Sequence, residues 1–283
     1  MPLKLMYITN RPDIALIAEK NGVDRIFLDM DWIGKAARQG GMDSVQNRHT
    51  IGDVRAVRAV LQKAELLVRV NPIHDALPTY PSSEEEIDAA IEAGADILML
   101  PYYKTAEEVR RFVNCVGGRA KTMLLLETKE AADHLETILA QPGIDEVHIG
   151  LNDLSLAYGL PFMFQLLTNG TVESLCMRLK QIGVPYGFGG IASLGRGLVP
   201  AEMIIKEHYR LGSDGAILSR SFCNVDKITD RNAIEEVFLR GIREIRMLER
   251  ECEYHTQFFR TNEQQLKKAV QAVADGIQKE KAK

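Results

Sequence analysis

The stretch KTMLLLET, residues 121–128, is followed one helix-length later by VHIGLNDL, residues 147–154. Each run is apolar and nearly unbroken until its last residues, as in a parallel strand covered on both faces, and a helical pattern from Thr128 to Gln141 lies between them. The two runs therefore read as consecutive strands of a parallel sheet or barrel. Glu127 and Asp153 stand at their C-terminal ends, where ligands of such folds gather. Two carboxylates side by side suit a hard divalent cation. A purely structural pair is the competing reading.

Working outward, the alternation recurs. Strands are expected at 3–9, 24–30, 65–70, 96–102, 121–127, 146–151, 186–191 and 215–220, with helical patterns at 11–21, 51–64, 84–93, 105–116, 128–140, 171–182 and 201–211. Thr50, Ser83, Thr105 and Thr171 are candidate helix caps, and Gly22, Gly94, Gly117, Gly183 and Gly212 close helices. Eight such units predict an α/β chain folded as a (β/α)8 TIM barrel over residues 1–230. Beyond Arg220 strand signals stop, and residues 231–283 form a C-terminal helical extension broken near 254–261. One of its two helices would complete the barrel. The other, carrying Phe258, Phe259, Leu266, Val270 and Val273, has little barrel left to cover and is expected to contact a neighbouring subunit in a homo-oligomer.

The chain has 283 residues, 46% of them hydrophobic and 26% charged, and a formal net charge of −4. That balance argues against a nucleic-acid partner, which would call for clustered Lys and Arg, and favours a small-molecule substrate. Cys115, Cys176, Cys223 and Cys252 show no CxxC spacing and read as free thiols, as in a reducing cytoplasm. No signal-peptide pattern and no apolar run of membrane-spanning length is seen, so a cytoplasmic location without membrane contact is expected.

Other strand ends supply further candidates. The second ends Leu28-Asp29-Met30-Asp31-Trp32 and the third ends Val68-Arg69-Val70-Asn71-Pro72. With Glu127 and Asp153 opposite, these make a cup for a cation and an anionic substrate together, although Arg69 could equally serve an internal ion pair with Asp29 or Glu127. The long loop from Trp32 to Arg48 brings Lys35, Arg38 and Arg48, which either lie in solvent or face the site and favour a second anionic group on the substrate. The glycine-rich run 186–192 lacks GxGxxG spacing and reads as a tight strand-end turn, in a position where barrels often bind phosphate. Ser219 and Arg220 end the eighth strand at the rim. His74 is placed near the site, His148 in the core, and His134, His208 and His255 at the surface.

The order VRVNP, GADILMLP, LLLET and PGIDEVHIGLNDLSLAYG resembles the HpcH/HpaI aldolase and citrate lyase family, metal-dependent barrels that make or break carbon–carbon bonds beside a carbonyl. The likeness runs over roughly residues 24–220. It implies that Glu127 and Asp153 bind the metal, Mg2+ or Mn2+, that Arg69 binds substrate, and that backbone groups near Leu151 and Asn152 hold a substrate carboxylate. Pyruvate aldolases of the family carry a histidine where this chain has Trp32, which leaves Asp29 or His49 to position the water that moves the proton. The expected activity is that of a divalent-metal-dependent carbon–carbon lyase, an aldolase working through the enolate of pyruvate or a similar 2-oxo acid with an aldehyde partner. The alternatives are an acyl-CoA lyase of the citrate lyase β-subunit type and a barrel that has lost turnover.

Overall fold

The computed structural model describes residues 1–35, 48–254 and 256–281. Eight parallel strands close in chain order, with β1 (Lys4–Ile8) beside β2 (Arg25–Asp29), then β3 (Glu65–Arg69), β4 (Ile97–Leu100), β5 (Lys121–Leu126), β6 (Glu146–Ile149), β7 (Tyr186–Ile191) and β8 (Gly215–Leu218), which pairs back onto β1. This is the expected TIM barrel, and each strand lies within two residues of its expected ends.

Alternation along each strand decides what faces where. Leu66, Val68 and Val70 point outward into the layer beneath the helices, whereas Leu67 joins Met6, Phe27, Ile97, Met99, Met123 and Leu125 in a separate apolar plug inside the barrel. Below the plug Arg25, only 1% exposed, donates two 2.6 Å bonds to Glu146 and one of 2.8 Å to Glu65. An ionic floor so closes the N-terminal end. Above the plug, the next inward positions on β2, β3 and β5 are Asp29, Arg69 and Glu127.

The barrel helices are α1 (Pro12–Lys20), α2 (Ile51–Arg58), α3 (Ser83–Glu92), α4 (Ala106–Val116), α5 (Lys129–Asp133), α6 (Leu135–Leu139), α7 (Leu151–Ala157), α8 (Gln165–Thr168), α9 (Thr171–Ile182), α10 (Ala201–Leu211) and α11 (Arg231–Tyr254), followed by the last helix, α12 (Phe259–Lys281). Thr50 and Thr105 cap as expected, each in a reciprocal capping box. Elsewhere the expectations need correcting. Ser82 rather than Ser83 caps α3, and α9 starts after Gly170, with Thr171 already inside it. The single helix expected over 128–140 is two short ones meeting at His134, and residues 151–157, read as strand end and loop, are helical.

Helix α11 inserts Ile234, Phe238, Ile242 and Ile245 between α10 and α1 and so closes the helical ring. Helix α12 crosses α10 and α8, burying Leu266, Val270 and Ala274, while Asn262 donates 3.1 Å bonds to the Met203 carbonyl and to Glu207 on α10. Leu266 and Val270 of the stripe expected at a subunit contact are thus covered by α8 and α10 of the same chain, while Phe258, Phe259 and Val273 are half-buried. No helix among the described residues is long and apolar enough to cross a membrane. The four cysteines are free thiols.

His208 is not at the surface. It is buried, stacked on Phe188 with ring centroids 3.8 Å apart, its Nδ1 2.8 Å from Ser213 Oγ. Burial lowers its pKa to about 3, helped by His148, and burial lowers His148 to about 4. Both rings stay neutral in the fold, whereas the unfolded chain takes up protons below about pH 6.5. No stability is at stake above that pH, and it falls as the pH drops towards the folded values, by about 1.4 kcal/mol per pH unit for each histidine. Denaturant unfolding between pH 7.5 and 5 should show this slope, and His208→Asn should remove about half of it. An unchanged slope in that variant would assign the acid sensitivity to other groups.

Candidate functional site

A cavity of about 410 Å³ opens at the C-terminal mouth of the barrel, and Asp29, Lys35, His49, Arg69, Glu127 and Asp153 all line it. The candidates from β2, β3, β5 and the segment after β6 are therefore brought together. The register Asp29↔Arg69 between β2 and β3 sets the first contact. Arg69 Nε and Nη2 donate to Asp29 Oδ1 and Oδ2 at 2.8 and 2.7 Å, a two-pronged pair in which Nη1 is not engaged by Asp29, and the guanidinium carbon lies 5.5 Å from the Phe27 ring centre. Arg69 is ion-paired with Asp29 and also lines the cavity.

Lys35, 4% exposed, adds a 3.0 Å bond to Asp29 Oδ2 and lies 3.7 Å from Asp31. Burial alone would raise the Asp29 carboxyl, but Arg69 and Lys35 outweigh it and hold it well below the usual carboxylate range. Burial would likewise lower Arg69, yet Asp29, Asp31 and Glu127 raise it. Arg48 is exposed, and Arg38, like His255, lies outside the described residues.

The segment before α2 folds back over β2. The His49 N–H donates to the Asp29 carbonyl at 3.2 Å, and His49 Nδ1 accepts from the Asp29 N–H at 2.9 Å. A ring nitrogen that accepts an amide hydrogen carries no proton, so Nε2 of the neutral ring holds it. Burial lowers the His49 pKa against the opposing pull of Asp29, consistent with that neutral form. Trp32 takes another direction. Its ring meets Tyr80 edge-on at 5.3 Å, its backbone N–H donates to Asn71 Oδ1 at 2.9 Å, and it is absent from the cavity wall. Asn71 in turn bonds Glu86 at 2.8 Å, a buried buttress that sequence reading did not foresee. His74 is likewise away from the cavity, between the Pro72 and Pro81 carbonyls.

Glu127 is 4% exposed, and its Oε1 accepts the N–H of Tyr102, a residue held at φ 51°. Gly150 makes room for it: a Cβ there would stand 3.0 Å from both Glu127 Cβ and Oε2. Asp153 is half-buried in the first turn of α7, after Gly150, and no side chain caps that helix. It reaches the cavity from a helix, not from a strand end. Leu151 is buried and Asn152 exposed, both on the cavity wall. Among the described residues no group of three or more His, Cys, Asp or Glu converges on one point. The donor set is two carboxylates, both hard oxygen ligands, and the clearance at Gly150 leaves Glu127 Oε2 space. These residues fit a hard cation that takes its remaining ligands from water or substrate.

His148 is buried, as expected of a core histidine, and also lines the cavity. Its Nε2 donates to the Gly189 carbonyl at 3.2 Å, and its Nδ1 is buried without a protein partner.

The profile of a family described as HpcH/HpaI aldolase/citrate lyase matches residues 4–162. A 4-hydroxy-2-oxovalerate aldolase from Novosphingobium aromaticivorans is 28% identical over 206 residues, covering 62% of this chain and 71% of that protein. A hydroxypyruvate/pyruvate aldolase from Sagittula stellata is 28% identical over 141 residues, 38% of this chain and 53% of that one. Among solved structures, an HpcH/HpaI aldolase/citrate lyase family protein from Burkholderia cenocepacia J2315 superposes with a TM-score of 0.62 at 18% identity, covering 83% of this chain and 94% of that one. An HpcH/HpaI aldolase from Desulfitobacterium hafniense DCB-2 gives 0.58 at 17% identity, covering 86% and 93%. At those identities the structures speak for the fold alone.

Proposed function

The chain belongs to the HpcH/HpaI aldolase/citrate lyase family, and from that premise we propose a divalent-metal-dependent carbon–carbon lyase acting on the enolate of pyruvate or a similar 2-oxo acid, with an aldehyde as partner. The observation that carries the reading is the convergence of Glu127, Asp153 and Arg69 on one cavity above a filled barrel. Relatives bearing aldolase names point the same way.

Glu127 and Asp153 would hold the cation, Mg2+ or Mn2+. The bound metal supplies Lewis acidity toward a keto oxygen. Arg69 is held by Asp29 through Nε and Nη2 and lines the cavity, where its guanidinium would oppose negative charge growing on oxygen as the carbon–carbon bond breaks. Backbone N–H groups of Leu151 and Asn152, at an end of α7 that no side chain caps, receive the substrate carboxylate. Asp29 already accepts hydrogen bonds from Arg69 and Lys35, so we assign it to positioning Arg69 rather than to carrying a proton. His49, with its proton on Nε2, then orients water at the rim as a hydrogen-bond donor.

Deuterium exchange tests the enolate without knowledge of the aldehyde. In D2O with Mg2+ or Mn2+, the methyl proton signal of pyruvate should disappear with the protein present and persist when the metal is chelated. Failure of pyruvate and hydroxypyruvate alike to exchange at any metal level would overturn the reading. Turnover of an acyl-CoA thioester instead would move the chain to the acyl-CoA lyases, and binding without exchange would make it a barrel without turnover.

A further inference from the structure

Beside the cavity just described runs a second, larger depression of about 800 Å³, over the loops that follow β7 and β8 and against α11. The two are neighbours, and Arg220 and Asn224 line both. The groove carries four cations, Arg196, Arg220, Lys227 and Arg240, against a single carboxylate, Glu244. Glu244 is already taken by Arg240 at 2.8 Å. For Arg196, Arg220 and Lys227 no carboxylate of the described residues lies within ion-pair distance. A solvated helix face would carry mixed signs, whereas here like charges from two loops border one concave surface. Keeping them together costs repulsion that an anion would relieve.

We propose that this groove receives a phosphate ester borne by the second substrate, so that the aldehyde or acyl partner is a phosphorylated molecule whose reactive carbon lies in the first cavity. The inference rests on the lyase reading above. A carboxylate needs one cation and is already provided for beside α7. A phosphate monoester brings two charges and three acceptor oxygens, which suit several guanidinium and ammonium donors at once. The position agrees: in eight-stranded barrels the loops after strands seven and eight are where phosphate is commonly held. Gly195 and Gly197, both at positive φ, fold the β7 loop tightly enough to set Arg196 on the groove wall.

Two measurements on the full chain test this, comparing the native protein with the double variant Arg196→Ala/Lys227→Ala, whose residues lie only in the groove. Calorimetry with inorganic phosphate should show binding to the native protein and roughly 10- to 100-fold weaker binding to the variant. With pyruvate as donor, native kcat/KM should favour glyceraldehyde 3-phosphate over glyceraldehyde by a similar factor, and the variant should lose that preference. A variant that merely perturbed the fold would lower both aldehydes together and leave the ratio intact, which would overturn the assignment, as would absence of phosphate binding by the native protein. Acetyl-CoA as a competitor separates the sources: inhibition that the double variant relieves makes coenzyme A the bearer of the phosphate. If phosphate binds through Arg196 and Lys227 but no 2-oxo acid exchanges deuterium, the lyase reading fails and the phosphate site stands.

Discussion

Glu127→Gln is expected to remove metal-stimulated exchange and turnover, by more than the roughly 100-fold that loss of a mere outer-shell partner can cost. Glutamine keeps the volume beneath Gly150 and an oxygen for the Tyr102 N–H, so the fold should hold while one of two anionic ligands is gone. Asp153→Asn should behave alike, since its position in the first turn of α7 tolerates asparagine. The check is a metal titration of each variant followed by exchange kinetics, with thermal unfolding as the control. Either variant binding metal and exchanging pyruvate at near-native rates would remove that carboxylate from the metal site.

Arg69→Lys is the second large effect. Arginine spends Nε and Nη2 on Asp29 and, under the proposed reading, keeps Nη1 for the substrate. An ammonium has a single nitrogen and cannot hold both positions. It should settle on Asp29, leaving the growing charge on substrate oxygen unopposed, with kcat down by on the order of 10²-fold and metal affinity unchanged. A variant with native kcat would confine Arg69 to its ion pair with Asp29.

Much of this arrangement could be read in the chain before any coordinates, and the reason is periodicity. Parallel strands two residues in period send Arg25, Phe27 and Asp29 inward together, and the same parity places Arg69 and Glu127. Where the chain leaves the strands that rule lapses. Asp153 sits in a helix because the chain turns into α7 immediately after β6, and no apolar periodicity marks so short an element. Lys35 and His49 flank Asp29 through hydrogen bonds with Asp29 itself, which no local pattern announces. His208 sits on a helix whose buried face includes polar side chains, so hydropathy placed it outside. The apolar stripe of α12 was legible, but its cover was not: α8 and α10 are separated from it by up to a hundred residues of chain.

The floor of Arg25, Glu65 and Glu146 under the apolar plug closes the first cavity toward the N-terminal end of the barrel. Under the proposed reading, a 2-oxo acid held by Arg69 and the Glu127–Asp153 pair lies deep in the cavity, beneath the position of its aldehyde partner. The order of events is then imposed: the oxo acid must arrive first and depart last, and the aldehyde must come and go above it. In the cleavage direction the oxo acid should be a competitive product inhibitor against the cleaved substrate and the aldehyde a noncompetitive one. The reverse pattern would mean that the two ligands reach the site by separate routes.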